Sequence, residues 1–509
     1  MAVTSAHSGG PQDGLSGVLK RGIGYSTVGV VVCQAVVIVQ TIVLGRLLGP
    51  GEVGVFTAGT VLMGFLLTFS QGTLAQALIK RADDIEDAAN TVLIVNAAAG
   101  LLFGVGVLVS SPVIGHLFHS TRVGHIAAAT SGLVLLYLCL GVPEALMQRS
   151  FRFKQRMVIQ PAAKIAFAGV SILFAVLGYG AWAMVLGSYA SITVLLVLSW
   201  WMARWRPFRG RFSIRIWREM ATFSLPLLLD NVAHSIRETY QQVLLGRRLG
   251  TADLGQYRYG WQMAGIPAAA IVDIFGYLLF PAFAHICADR NRFRDAFLRA
   301  LGWTWFVALP IGALLVVLGE PLAVLLFGAE WRPAGAAAMA MAGLAVGSAL
   351  NALGVTVIKG AGRVTLVNWL SALGLALHLP LIPLLLPFGL IGVSVGLSVM
   401  YLLGGVVCIL LARSVVDVPL REVMASVAPT TLSAVVAFAV TFPLEHLVVR
   451  SDQHFAPVGL ALVLADCLLF ASVYVGALRL LSPRRFRSVR GFAERTAMKL
   501  MIPLGGGKK

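Results

Sequence analysis

One short segment, residues 230–241, concentrates ionisable and polar side chains within an otherwise apolar stretch of the chain. The polar stripe of Asp230, His234, Arg237, Glu238 and Gln241 has spacings of four, three, one and three residues, which place all five on one face of a helix. An arginine guanidinium can donate two parallel hydrogen bonds to an oxyanion. Carboxylates can hold a cation or a proton, and histidine titrates near neutral pH. The spacing therefore predicts a binding surface for a charged ligand, an ion or both.

The composition shows what kind of protein must position this stripe. The chain has 509 residues, of which 58% are hydrophobic and 12% charged, with a mean hydropathy of +0.85. Soluble domains carry about 25% charged residues, so a soluble enzyme and an extracellular disulfide scaffold are both excluded. Apolar runs of about 20 residues recur, which predicts an all-α polytopic membrane protein with about 14 transmembrane helices. Ionisable groups inside such helices are costly and must face protein or a water-filled cavity.

The distribution of positive charge predicts the orientation. The net charge is +18, and when the predicted loops are taken alternately, most of the 40 Lys and Arg residues fall on one side. The positive-inside rule makes that side cytoplasmic and places both termini there. The basic segments interleaved with aromatic residues, around Arg206 and Arg485, are interpreted as contacts with membrane lipids, not with nucleic acid.

An internal repeat organises the predicted helices. Val43–Gly49 reappears as Leu244–Gly250, and the same shift of 201 residues pairs Glu52 with Asp253 and Gly54 with Gly255. The copies are separated by six helices, so they share one orientation and predict two parallel-related six-helix lobes followed by two C-terminal helices. The predicted parts are a cytoplasmic N-terminal tail (1–20), an N-lobe (21–203), a basic cytoplasmic linker (204–221), a C-lobe (222–412), helices 13 and 14 (426–480) and a basic cytoplasmic tail (481–509).

Two motifs carry a resemblance to a known family. The turn G-R-x-L-G-x-x-[ED]-x-G-x-[FY] follows predicted helices 1 and 7, and Gln148–Lys154 follows helix 4. With this helix arrangement, the chain resembles the polysaccharide-exporter branch of the multidrug/oligosaccharidyl-lipid/polysaccharide (MOP) superfamily, and Wzx-type flippases of the colanic-acid and teichuronic-acid type. The resemblance implies that a polyprenyl-diphosphate-linked oligosaccharide is flipped from the inner to the outer leaflet of the bacterial cytoplasmic membrane. It also implies association with polysaccharide assembly machinery.

Under this resemblance, the stripe residues take specific roles. Arg237 is the candidate for binding the diphosphate; the alternative is an internal ion pair of Arg237 with Asp230 or Glu238. Asp230, Glu238 and Asp273 are candidates for a coupling Na⁺ or H⁺, and no other cofactor or metal is expected. His234 is interpreted as a gate or as a polar residue lining the cavity.

Other candidates lie outside the central segment. Lys164, Arg149 and Arg152 are placed at the cytoplasmic mouth, where they would attract the diphosphate or simply set the topology. Gln34, Gln40 and Gln241 would hydrogen-bond sugar hydroxyls or bridge neighbouring helices.

Two other functions compete with this one. The sequence contains no Walker A motif and no recognisable catalytic grouping, which argues against ATP as the direct energy source and against an enzyme. A membrane glycosyltransferase or glycan ligase would need an external catalytic domain, for which the predicted loops leave little room. A multidrug/cation antiporter of the sister branch remains the alternative, although such a transporter has little need for Arg237.

Overall fold

The computed structural model describes residues 32–69, 73–81, 83–150, 153–207, 209–286 and 289–483. The main helices are α1 (Val32–Leu47), α2 (Pro50–Leu67), α3 (Thr73–Lys80), α4 (Ile85–Leu117), α5 (Thr121–Arg149), α6 (Phe153–Val176), α7 (Ala181–Ala203), α8 (Ile214–Arg248), α9 (Thr251–Ile286), α10 (Arg290–Phe327), α11 (Arg332–Ala340), α12 (Ala342–Gly360), α13 (Val364–Leu385), α14 (Gly389–Val416), α15 (Leu420–Pro443) and α16 (Ala456–Leu481). Short 3₁₀ and π turns join some of them.

The prediction of an all-α polytopic membrane protein is confirmed. Within the described residues, ten helical segments are long and apolar enough to cross a membrane, and α8 and α9 are not among them. The predicted apolar span 54–79 is divided between α2 and α3. The chain divides into two compact units, Met1–Gly255 and Gln256–Lys509. Helix α8, which the repeat assigns to the second lobe, falls in the first unit, where it packs on α2 and α3. The domain boundaries drawn from the sequence stay a prediction.

One predicted span is broken by a side chain from another helix. The apolar span 335–357 is divided into α11 and α12 around Met341. The Ser398 hydroxyl of α14 accepts a hydrogen bond from the Gly343 amide at 3.0 Å and donates one to the Ala340 carbonyl at 2.5 Å. A polar side chain inserted into the backbone ladder is a recognised cause of helix breaks. Here the hydroxyl provides hydrogen-bond partners for the Gly343 amide and the Ala340 carbonyl at the helix break.

The repeated turn has the same backbone architecture in both copies. α2 begins at Pro50 and α9 at Thr251, which are separated by the predicted shift of 201 residues. A Cβ atom at Gly54 would overlap the Thr251 carbonyl oxygen, and one at Gly255 would overlap the Pro50 carbonyl oxygen. The paired glycines of the motif therefore allow the first turns of α2 and α9 to approach backbone to backbone.

The acidic residue of the first copy ties three helices together. The Glu52 carboxylate lies 2.7 Å from the Arg122 guanidinium of α5 and accepts a hydrogen bond from the Ala181 amide of α7 at 2.8 Å. The preceding Gly180 has φ +56°, and a Cβ there would collide with the Glu52 carboxylate. In the second copy Gln256 has a similar role, accepting from the Ala334 amide at 3.0 Å and donating to the Glu330 carbonyl at 2.7 Å.

An unexpected pair of buried carboxyl groups joins α16 to the turn after α15. Asp466 is hydrogen-bonded to Glu445, and these residues are 3% and 1% exposed. Glu445 also accepts hydrogen bonds from the Ser451 amide at 2.9 Å and the Ser451 hydroxyl at 2.8 Å. The contact ties α16 to the turn after α15.

Gly54→Ala tests the close approach of the two turns. We expect the added methyl group to cost about 1–3 kcal/mol, because the backbone must shift to accept it, and to lower the melting temperature of the purified protein. Gly51→Ala, in the same helix turn but with no atom within 4 Å of the added Cβ, is the control and should leave the melting temperature unchanged or slightly raised. Equal melting temperatures for the two variants would contradict the packing.

Asp466→Asn and Glu445→Ala test the carboxyl pair. The asparagine amide can still donate to Glu445, so we expect Asp466→Asn to keep near wild-type thermal stability. Glu445→Ala removes the acceptor for Asp466 and Ser451 and should cost about 2–4 kcal/mol, since buried polar groups are left unpaired. Melting curves of the purified variants measure the difference. A larger loss for Asp466→Asn than for Glu445→Ala would contradict the role of Glu445 as the acceptor in this contact.

Candidate functional site

The polar stripe lies on α8, a helix of 35 residues that is about 52 Å long. Its first turn is capped by the Ser213 hydroxyl, which accepts from the Ile216 amide at 3.4 Å. Near its middle, the Ser235 hydroxyl is hydrogen-bonded to Thr68 of α2 at 2.5 Å. These contacts fix the rotation of α8 within the first unit.

The described side chains of the stripe form a short polar chain centred on His234. The Arg237 Nη2 lies 3.3 Å from His234 Nδ1, and the Glu238 Oε1 lies 3.4 Å from His234 Nε2. Arginine can only donate, so Nδ1 accepts, and the imidazole proton is on Nε2, directed at Glu238. A neutral histidine satisfies both neighbours in this arrangement.

The stripe is accessible although it lies on a membrane-protein helix. The side chains of His234 and Glu238 are 53% and 47% exposed, whereas Gln241 is 3% exposed. Charged groups cannot face hydrocarbon at this level of exposure without a large penalty. Within a membrane these groups would have to face water, so the water-filled cavity expected beside the stripe stays a prediction.

Arg237 is the cation of this stripe that can accept an anionic ligand. Within the described side chains, no carboxylate lies within ion-pair distance of Arg237, and Glu238 pairs with His234 instead. The Asp230 side chain, the other predicted partner, lies outside the described residues, as does that of Asp273 in α9. The assignments of Arg237 to a diphosphate and of the carboxylates to an ion stay predictions.

The residues predicted at the cytoplasmic mouth have different surroundings. Lys164 is exposed on α6 and within electrostatic range of Cys33 on α1, the helix that carries Gln34 (exposed) and Gln40 (half-buried). Arg149 donates to the backbone carbonyls of Leu78, at 3.4 Å, and Arg81. Its guanidinium thus binds the C-terminal end of α3, a favourable place for a cation. Arg152 lies outside the described residues.

The basic linker before α8 positions the stripe in a way the sequence analysis missed. The Arg211 amide donates to the Asp87 carboxylate at 2.7 Å, the Asn90 side chain donates to the Gly210 carbonyl at 2.7 Å, and the Ser213 amide donates to the Thr91 hydroxyl at 3.1 Å. The linker is therefore bound along the first turns of α4. The signal was present in the sequence, since acidic residues open α4 and face a basic linker.

A second tie holds the first turns of α8. Arg81, which follows α3, forms a 3.0 Å ion pair with Glu219. Together with the bound linker, this contact anchors the N-terminal end of α8. The stripe is therefore carried by a rigid helix, not by a loop.

Known proteins share this sequence pattern and this fold. The chain is 25% identical over 313 residues to the succinoglycan biosynthesis transport protein ExoT of Rhizobium meliloti (strain 1021), covering 62% of the chain and 63% of ExoT. The chain thus spans less than two thirds of the length of this relative.

Two solved structures have the same fold. The lipid II flippase MurJ, in an inward closed conformation, superposes with a TM-score of 0.71 at 13% identity, covering 90% of the chain and 99% of MurJ. An inward-facing multidrug resistance MATE family transporter of the MOP superfamily gives a TM-score of 0.58 at 15% identity, covering 76% and 94%. The fold alone therefore does not distinguish a flippase from a multidrug transporter.

The family is established by the sequence. The sequence profile of the family described as "Polysaccharide biosynthesis protein" matches residues 43–336, which is more than half of the chain. The matched region includes both copies of the repeated turn and the polar stripe. The resemblance drawn from the two motifs is confirmed, and the chain belongs to the polysaccharide biosynthesis protein family.

Proposed function

We propose that the protein is a flippase that moves a polyprenyl-diphosphate-linked oligosaccharide from the inner to the outer leaflet of the bacterial cytoplasmic membrane. The observation that carries the proposal is Arg237, an accessible arginine without a carboxylate partner among the described side chains, in a membrane protein of a polysaccharide biosynthesis family. The name of ExoT, a transport protein of succinoglycan biosynthesis, supports the same class of cargo.

The geometry of the stripe supports a binding role for Arg237 and His234. The Arg237 guanidinium provides paired donors for the oxygens of a diphosphate, and it leaves only a neutral histidine acceptor when it does so. His234 then regains a free acceptor at Nδ1. Gln34, exposed on α1, and the half-buried Gln40 supply donors and acceptors for sugar hydroxyls. Gln241 is buried, which favours the alternative that its amide bridges neighbouring helices.

Translocation needs an interaction whose strength differs between the inward-open and outward-open states. In the proposed cycle the headgroup enters the polar cavity while the polyprenyl chain stays in lipid, and the cavity then opens to the outside. Glu238, whose carboxylate lies 3.4 Å from His234 Nε2, is a candidate site for a coupling proton or cation. Asp230 and Asp273 are further candidates for binding the coupling H⁺ or Na⁺. Lys164, Arg149 and Arg152 would gather the diphosphate at the cytoplasmic mouth.

The proposal includes the orientation and the partners. Both termini are placed in the cytoplasm by the positive-inside rule. The protein performs translocation and no covalent chemistry, and it delivers its cargo to polysaccharide assembly machinery on the outer leaflet.

The alternative is a multidrug/cation antiporter, supported by the MATE-like fold and by the acidic residues Asp230, Glu238 and Asp273. An organic cation would be repelled by Arg237, which favours the flippase. Drug-susceptibility tests separate the two, since only the antiporter predicts new sensitivity to cationic drugs in cells without the protein.

Cells lacking the protein should accumulate one polyprenyl-diphosphate-linked oligosaccharide, because synthesis continues on the inner leaflet while export stops. Mass spectrometry of extracted lipids would measure the accumulation and identify the glycan. Restoring the gene should remove it. Unchanged lipid-linked intermediates, together with new sensitivity to cationic drugs, would contradict the flippase proposal and favour the antiporter.

Arg237→Ala should reduce complementation in these cells at least about tenfold, because an ionic contact to phosphate contributes about 1.5–3 kcal/mol. Arg237→Lys should retain part of the activity, since it keeps the charge but not the paired donors. Arg248→Ala, exposed at the C-terminal end of the same helix, is the matched control and should complement fully. Membrane abundance of each variant is measured by immunoblot, and full complementation by an Arg237→Ala protein present at wild-type level would exclude the diphosphate role.

A further inference from the structure

A cavity of about 410 Å³ lies between α10, α15 and α16, outside the polar stripe. This size is within the range of about 300–1,000 Å³ found for small-molecule sites. Its lining residues are Leu298, Arg299, Gly302, Trp303 and Phe306 of α10, Glu422, Ala425, Ser426 and Thr430 of α15, and Leu478 of α16.

Most of the wall is apolar. A Cβ added at Gly302 would make an ordinary contact with the Ser426 hydroxyl at 3.5 Å, and that hydroxyl donates to the Leu298 carbonyl at 3.3 Å, so α10 and α15 are packed together beside the cavity. Trp303 and Phe306 pack edge to face with ring centroids 5.7 Å apart. The space suits a flexible hydrocarbon chain.

Among the described charged residues that line the cavity, the positive charge of Arg299 is left unpaired. Three arginines at the start of α10 are each ion-paired with a carboxylate: Arg290 with Asp417, Arg292 with Asp289, and Arg294 with Glu422. The pair with Arg294 neutralises the one acidic residue that lines the cavity. Arg299 has no hydrogen-bond or ion-pair partner among the described residues, and it is exposed.

The position of Arg299 along α10 corresponds to the membrane depth of lipid headgroups. It lies nine residues beyond Arg290, about 14 Å along the helix, where the charged first turns of α10 give way to an apolar run. Trp303 follows one turn later, and tryptophan is enriched at the membrane interface. The arginine is therefore at the level of phosphates, and the apolar cavity continues to the level of acyl chains.

We propose that this cavity is a binding site for an anionic phospholipid of the cytoplasmic leaflet. One acyl chain fills the space between α10, α15 and α16, and the lipid phosphate is bound by Arg299. Basic pockets between transmembrane helices on the cytoplasmic side are suited to anionic headgroups. The site is separate from the stripe and does not depend on the proposed cargo.

Native mass spectrometry of the purified, delipidated full-length protein tests the site, with phosphatidylglycerol and phosphatidylcholine as probes. We expect the wild type to retain phosphatidylglycerol in preference to phosphatidylcholine, and Arg299→Gln to weaken phosphatidylglycerol binding about fivefold, the factor associated with one basic residue near an anionic lipid surface. Arg421→Gln is the matched control, because Arg421 is exposed at the same end of α15 but does not line the cavity. It should bind like the wild type.

Gly302→Leu tests the acyl chain independently of the charge. Its side chain would occupy the cavity and should abolish tight binding while Arg299 remains, and a wild-type melting temperature for either variant shows that the fold is kept. Equal retention of the two lipids by the wild type, or equal losses in Arg299→Gln and Arg421→Gln, would overturn the proposal. Displacement of phosphatidylglycerol by an equimolar polyprenyl phosphate would overturn it too, since the cavity would then hold the isoprenoid chain instead.

Discussion

The structure depends on one constraint of the bilayer: a polar group within the hydrocarbon must find its partner in the protein or in enclosed water. The carboxylate of Glu52 is matched by Arg122 and the Ala181 amide. The hydroxyl of Ser398 hydrogen-bonds to backbone groups at the break between α11 and α12. The stripe on α8 is different, since Arg237 reaches only a neutral imidazole acceptor among the described residues. Hydrogen-bond donors and charges that have no strong partner within the protein are available to a ligand.

The repeated turn shows the same constraint acting on the backbone. In lipid, helices gain little from hydrophobic contact and associate through close packing of small residues. Gly54 and Gly255 allow the first turns of α2 and α9 to approach backbone to backbone. The side chains that hold the two turns differ, because Glu52 binds the starts of α5 and α7, whereas in the second copy Gln256 binds the start of α11. The copies have thus kept the backbone arrangement while changing the side chains that hold it.

The sequence predicted the helices because apolar length and charge placement act locally, and it predicted the stripe because helical spacing is a local property. It did not predict contacts that join residues distant in the chain. The break near Met341 depends on Ser398, and the shared hydrogen bond of Asp466 depends on Glu445. Arg149 was predicted to meet substrate, yet its guanidinium contacts the end of α3. The side chains of Asp230 and Asp273 lie outside the described residues, so their predicted roles stay predictions.

The most direct test of the proposed flippase is translocation in proteoliposomes that contain only the purified protein. A synthetic polyprenyl-diphosphate disaccharide with a fluorescent label on the sugar is placed in the membrane, and a membrane-impermeant quencher reports how much label reaches the outer surface. We predict rapid, protein-dependent loss of fluorescence beyond the fraction initially exposed, and a much slower loss with the Arg237→Ala protein. A rate equal to that of empty liposomes for the wild type under imposed H⁺ and Na⁺ gradients would contradict the proposal that this protein flips lipid-linked oligosaccharides.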